Sequence, residues 1–155
     1  MKMEEFVKKI YVIRGTPVMT DRDLAAFYGV TTKHLNQQVS RNEARFPADF
    51  CFHLFDHEVE ELRSQNAAAI PSMSRANPRV FTEIGAYAVS GVIKSETADT
   101  ISVFIYRAFV SLKNQLRNKE DLYEKIRSME KKYDMQLDAI WKKLHLLDRW
   151  ALKDK

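Results

Sequence analysis

The chain has 155 residues, 45% apolar and 30% charged, with a formal net charge of +4 and a pI of about 9.1. This is the composition of a folded soluble protein with one core and a modest appendage. Its single cysteine, Cys51, excludes an internal disulfide and fits a reducing compartment such as the cytoplasm. No apolar run approaches the ~18 residues of a membrane span. The opening MKMEEFVKKIYVIRG contains acids and no long apolar stretch, so it does not read as a secretory signal. The mild basicity is compatible with nucleic acid without demanding it.

In chain order, the first element is a small hairpin over Lys9 to Met19. The β-formers Ile10 to Ile13 run into an Arg14-Gly15 turn, and Thr16 to Met19 returns. Thr20 to Phe46 then reads as two short helices about a tight bend, the spacing of a helix-turn-helix. Thr20 caps the first helix with Asp23 as its capping-box partner, and Leu24, Ala25 and Tyr28 share one face. Gly29 ends it, since a left-handed cap favours glycine. Thr31 or Thr32 caps the second helix, whose apolar residues are only Leu35 and Val39.

The rest of that second helix is amide-rich and basic. Asn and Gln can bond an adenine edge, and Lys and Arg can reach guanine or phosphate. Lys33, His34, Asn36 and Gln37 lie in its N-terminal half and are the expected base-edge contacts. Thr32, Ser40, Arg41 and Arg45 are expected at phosphates, with Arg14, Arg75 and Arg79 from neighbouring segments. A solvated surface helix is the bland alternative.

Asp49 to Phe55 alternates as a strand, with Phe50, Phe52 and Leu54 on one face and Cys51, His53 and Phe55 on the other. Asp56 is placed to cap the next helix, with Val59 and Leu62 inward. Ser64 to Pro78 reads as a loop, either a plain connection or a basic wing. A short strand follows over Arg79 to Phe81. Thr82 starts a helix expected to bury Ile84, Tyr87, Ala88, Val92 and Ile93, with Gly85 and Gly91 marking close packing against a neighbour. Ser95 is the expected cap of the last helix, whose Ile101, Phe104, Ile105, Ala108, Phe109, Leu112 and Leu116 keep helical spacing.

From Arg117 on there is neither glycine nor proline, and a heptad stripe continues through Leu116, Tyr123, Ile126, Tyr133, Leu137, Ile140, Leu144 and Leu147. Lys119 and Glu130 are its polar exceptions. The expectation is a parallel coiled-coil homodimer over roughly 118 to 152; the competing reading folds this helix back on its own domain as a hairpin.

Enzyme chemistry finds little footing, and no cofactor is implied. The four histidines, His34, His53, His57 and His145, are scattered. Cys51, His53 and His57 lack the fourth ligand that a structural zinc wants. There is no phosphate loop or nucleophile elbow. Glu58, Glu60 and Glu61 read as a solvated helix face.

Taken together, IRGTPVMTDRDLAAFYGVTTKHLNQQVSRNEARFPADFCFHL, ELRSQ, RVFTEIGAYAVSGVIKS and FIYRAFVSL give Ile10 to Lys113 a specific likeness. The stretch resembles the ORF6N domain, a relative of the KilA-N domain of phage and bacterial proteins. That resemblance implies a DNA-binding module tied to phage regulation or antirepression, with a variable C-terminal part. Where the family often has a glycine- and arginine-rich segment before its FTE motif, this sequence has SMSRANPRV, which keeps Arg75 and Arg79 without the glycines.

The resulting reading is an α+β fold: a helix-turn-helix core with a small antiparallel sheet over 1–117, then a coiled-coil helix over 118–155. The expected partner is double-stranded DNA, bound as a dimer on inverted half-sites about one turn, ~34 Å, apart. The alternative is a protein-interaction module, an antirepressor that grips another regulator protein. An enzyme accessory subunit and an RNA binder are weaker alternatives.

Overall fold

Arg14 and Gly15 both take positive φ, 55° and 68°, which a two-residue hairpin turn needs if it is to follow the right-handed twist of its strands. The turn joins β1 (Tyr11–Ile13) to β2 (Thr16–Thr20), with Tyr11 opposite Val18 and Ile13 opposite Thr16. β2 pairs with β4 (Arg79–Thr82), and β4 with β3 (Cys51–His53), giving an antiparallel sheet of order β1-β2-β4-β3. The computed structural model describes residues 2–66, 68–70 and 76–153. The fold is α+β: this four-stranded sheet, several helices and a long C-terminal helix. The chain divides into two units, Met1–Leu112 and Lys113–Lys155.

Alternation along the strands sends successive side chains to two cores. Met19 and Phe81 join the larger core, built from α2 (Asp21–Tyr28), α3 (Thr32–Arg41), α5 (Glu83–Val89) and the start of α6 (Ala98–Lys153). Val18 and Val80 turn to the other face, where Tyr11, Ile13 and Leu54 meet Val59 and Leu62 of α4 (Asp56–Gln65). A short helix not legible in the sequence, α1 (Met3–Val7), contributes Phe6, which stacks on Phe27 at 4.0 Å and on Phe104 at 5.6 Å between ring centroids.

Several expectations change in detail. The strand read over 49–55 shortens to three residues at the sheet edge, and Phe50 packs in the larger core beside Cys51 instead of sharing a face with Phe52. Asp56 is the first helical residue of α4, not its cap; the Glu58 carboxylate instead accepts from Phe55 N at 2.9 Å. Thr82, read as the start of its helix, is the cap of α5, accepting from Gly85 N at 3.4 Å. Yet α5 buries Gly85, Ala86 and Val89, and leaves Ile84 and Tyr87 more than half exposed. The reason is at Gly85: a Cβ there would lie 1.8 Å from the Phe50 carbonyl oxygen. The smallest residue therefore marks the buried face. Ser95 does not cap α6 with its side chain; its hydroxyl is buried and has no partner among the described residues, and its carbonyl accepts from Ala98 N at 3.2 Å.

Two long-range contacts fasten the hairpin to α4. Arg14 bonds Glu58 in bidentate fashion, Nε to Oε1 at 2.6 Å and Nη2 to Oε2 at 3.1 Å, and its guanidinium lies 4.0 Å over the Phe52 ring. The Gln65 side chain accepts from Val12 N at 3.0 Å and donates to Val12 O at 2.8 Å, standing where a further strand would stand beside β1. The bond from Arg14 is the main influence holding the Glu58 carboxyl below the usual carboxylate range, against burial. A lowered folded pKa adds stability above the unfolded value, ~4.3, and that stability is lost as pH falls through the folded value. Glu58→Gln is therefore expected to lower the melting temperature by several degrees at pH 7. Its deficit against the parent should shrink steadily when melts are repeated down to pH 3.

In the second unit the helix continues unbroken to Lys153. Every described residue from Lys113 on is exposed, including Tyr123, Ile126, Tyr133, Leu137 and Leu144. Among the described residues no helix is long and apolar enough to cross a membrane.

Candidate nucleic-acid interface

α2 and α3 are joined by three residues, Gly29 to Thr31. Thr20 accepts from Asp23 N at 3.2 Å and donates to Asp23 Oδ2 at 3.0 Å, fixing the entry to α2. Tyr11 and Lys9 also reach the Asp23 carboxylate, at 3.3 and 3.2 Å. Burial first, and then the charge on Asp23, pushes the Tyr11 hydroxyl up to about 12, so it remains a proton donor. Gly29 closes α2 at φ 68°, and Val30 N bonds back to Ala25 O at 3.0 Å. Ala25 is buried at this corner, where a larger side chain would part the helices. Of the two threonines, Thr31 is the one that caps α3, accepting from His34 N at 3.1 Å.

α3 is anchored by Leu35 and Val39, both buried. Lys33, Gln37 and Arg41 follow at four-residue intervals along the opposite ridge, exposed, with His34 and Ser40 exposed on either side. The first turn holds no acid, and Thr32 there is half-buried. The ridge thus offers two cations, an amide, an imidazole and a hydroxyl in one row.

Asn36 has a different position from the one expected. It is half-buried, and its Nδ2 donates to Asp21 Oδ2 at 2.7 Å while its Oδ1 accepts from Arg79 Nη1 at 3.2 Å. Both ends of the amide are engaged within the molecule, so Asn36 is a clasp joining α3 to α2 and β4 and not a free base reader. Arg79 is correspondingly held and half-buried. Arg14 is likewise engaged within the molecule: its Nε and Nη2 bond the Glu58 carboxylate, which ties the side chain to α4. Arg45 is exposed in the short 3₁₀ turn Glu43–Arg45 that follows α3. Arg75 lies outside the described residues.

The sequence reading also missed two participants. Asp21 supplies the acceptor for Asn36, a pairing fifteen positions apart that leaves no local pattern. Arg22, exposed on the first turn of α2, lines one cleft with Lys33, Asn36 and His53. Cys51 is packed near Arg79; burial pushes its thiol up against the smaller opposing pull of that guanidinium, which disfavours a reactive thiolate. Among the described residues no group of three or more His, Cys, Asp or Glu is placed to hold a metal ion.

Residues 8–92 match the family model of the ORF6N domain, a stretch that runs from the hairpin through α5. The chain belongs to the ORF6N domain family. No curated protein and no solved structure matches it. In this ORF6N domain, the exposed ridge of α3 sits in the middle of the matched stretch, while residues 113–153 lie wholly beyond it.

Proposed function

We propose that this ORF6N protein binds double-stranded DNA, with α2 and α3 acting as a helix-turn-helix and α3 lying in the major groove as the reading helix. The observation that carries the reading is the outward row of Lys33, Gln37 and Arg41 on a helix anchored from behind by Leu35 and Val39 alone. Gln37 is central to the row and is the base reader, with Lys33 and His34 beside it near the helix N-terminus. Arg41, Ser40, Thr32 and Arg45 hold phosphates, joined by Arg22 from α2. The protein is then a regulator of phage or bacterial type.

The test is selection of bound duplexes from a random pool at moderate salt, repeated with two variants. Gln37→Ala relaxes the consensus at one base pair, a loss of about 1–3 kcal/mol of discrimination. Asn36→Ala removes the clasp and weakens binding to all sequences without changing the consensus. A pool that returns no enriched sequence, or a Gln37→Ala consensus that matches the parent's at every position, refutes the reading.

A second reading, capture of another regulator protein, draws on a separate observation. Ile84, Tyr87, Val103 and Tyr106 are all exposed on α5 and α6, with the two tyrosine rings 6.3 Å apart edge to face. Apolar patches of this kind mark protein contacts. Binding to random duplex that falls steeply with salt favours DNA over this alternative.

A further inference from the structure

The exposed stripe of residues 113–153 contains two charged interruptions, Lys119 and Glu130. In a parallel, in-register pair each seam residue faces its own copy, so Lys119 would meet Lys119 and Glu130 would meet Glu130. Both contacts place like charges where the seam excludes water, and each is repulsive. An antiparallel pair avoids both, because a first-position residue then faces a fourth-position residue of the other strand.

One antiparallel register overlaps the whole stripe from Leu116 to Leu147. It sets Leu116 against Leu147, Tyr123 against Ile140, and Ile126 against Leu137. Glu130 then faces Tyr133, whose hydroxyl is a donor for the carboxylate. Lys119 faces Leu144, where its stem lies along the seam and its ammonium reaches water. Within its own helix that ammonium already sits 5.9 Å over the Tyr123 ring.

The flanks favour the same arrangement. In this register Arg127 of one copy lies beside Asp134 of the other, and two-fold symmetry repeats the pair. Lys113 falls likewise beside Asp148. In the parallel arrangement the positions facing Arg127 and Asp134 are Leu122 and Met129, which offer no charge. Arg127 and Asp134 are both exposed.

We propose that residues 113–153 pair with a second copy of this chain in antiparallel orientation, centred between Lys131 and Lys132. This replaces the parallel arrangement expected from the heptad alone, and it holds whether or not α3 reads DNA. The test is sedimentation equilibrium on the full-length parent, Arg127→Asp, Asp134→Arg and the double exchange. The parent is a dimer. Each single variant turns two attractive pairs into repulsive ones and raises the dimer Kd about tenfold. The double exchange restores the pairs with reversed sign and returns Kd to within about threefold of the parent. A monomeric parent at ~100 µM, a concentration at which such a seam should be filled, overturns the proposal. So do single variants that associate as the parent does, or a double exchange that fails to recover.

Discussion

If α3 reads DNA as proposed, a chain carrying Lys33→Glu and Arg41→Glu is expected to bind duplex DNA about a hundredfold or more weakly than the parent at ~0.1 M salt. Each cation that sits on a phosphate releases counterions, so losing two contacts removes roughly two units of the salt slope, and the new carboxylates repel the backbone besides. The fold tolerates the change because both side chains are exposed on α3. Glutamate at position 33 also sits in the first turn, where the helix dipole favours an acid. The milder Arg41→Ala weakens binding to every sequence alike and flattens the slope by about one unit. A fluorescence-anisotropy titration across salt, with melting curves run alongside, separates the outcomes. An isotherm for the double variant lying on the parent's would remove α3 as the contact surface.

Gly85→Ala is expected to destabilise the first unit by about 3 kcal/mol or more, since the added methyl has no room. Its Cβ would lie 1.8 Å from Phe50 O and 2.6 Å from Phe50 C, both backbone atoms. That carbonyl also accepts from Thr82 N at 3.0 Å and lies 3.2 Å from Thr82 Oγ1, so moving it away loosens the cap of α5. At 4–8 °C per kcal/mol for a domain of this size, the melting temperature drops by more than ~10 °C. Gly91→Ala is the control. The nearest atom there is Arg45 Nη2 at 2.8 Å, the end of a flexible side chain that can swing aside. Equal melting temperatures for parent and Gly85→Ala would show that Phe50 and α5 are not packed as described.

What the sequence disclosed was local. The Arg14-Gly15 turn, the cap at Thr20, a cap from Thr31 or Thr32, the helix start at Thr82, the glycine stop at Gly29 and the two-residue apolar anchor of α3 all depend on neighbours a few positions apart. So does the periodicity of α6. What stayed hidden depends on partners far along the chain. The Arg14–Glu58 pair spans 44 positions and the Arg79–Asn36 bond 43, and no local pattern announces either. That is why Arg14 and Asn36 read as free contacts when both are engaged. The buried face of α5 was misread for another reason. Hydrophobicity favours Ile84 and Tyr87, but the limiting quantity there is the space before the Phe50 carbonyl, which only Gly85 satisfies.

The Gln65 amide has a consequence for how the molecule behaves in company. An open strand edge invites a foreign strand to add on, and such recruitment is a common start to aggregation. By filling both outward groups of Val12, Gln65 leaves an incoming chain nothing to zip onto at that point. Molecules brought together at high concentration would then not seed a precipitate from that point of the β1 edge.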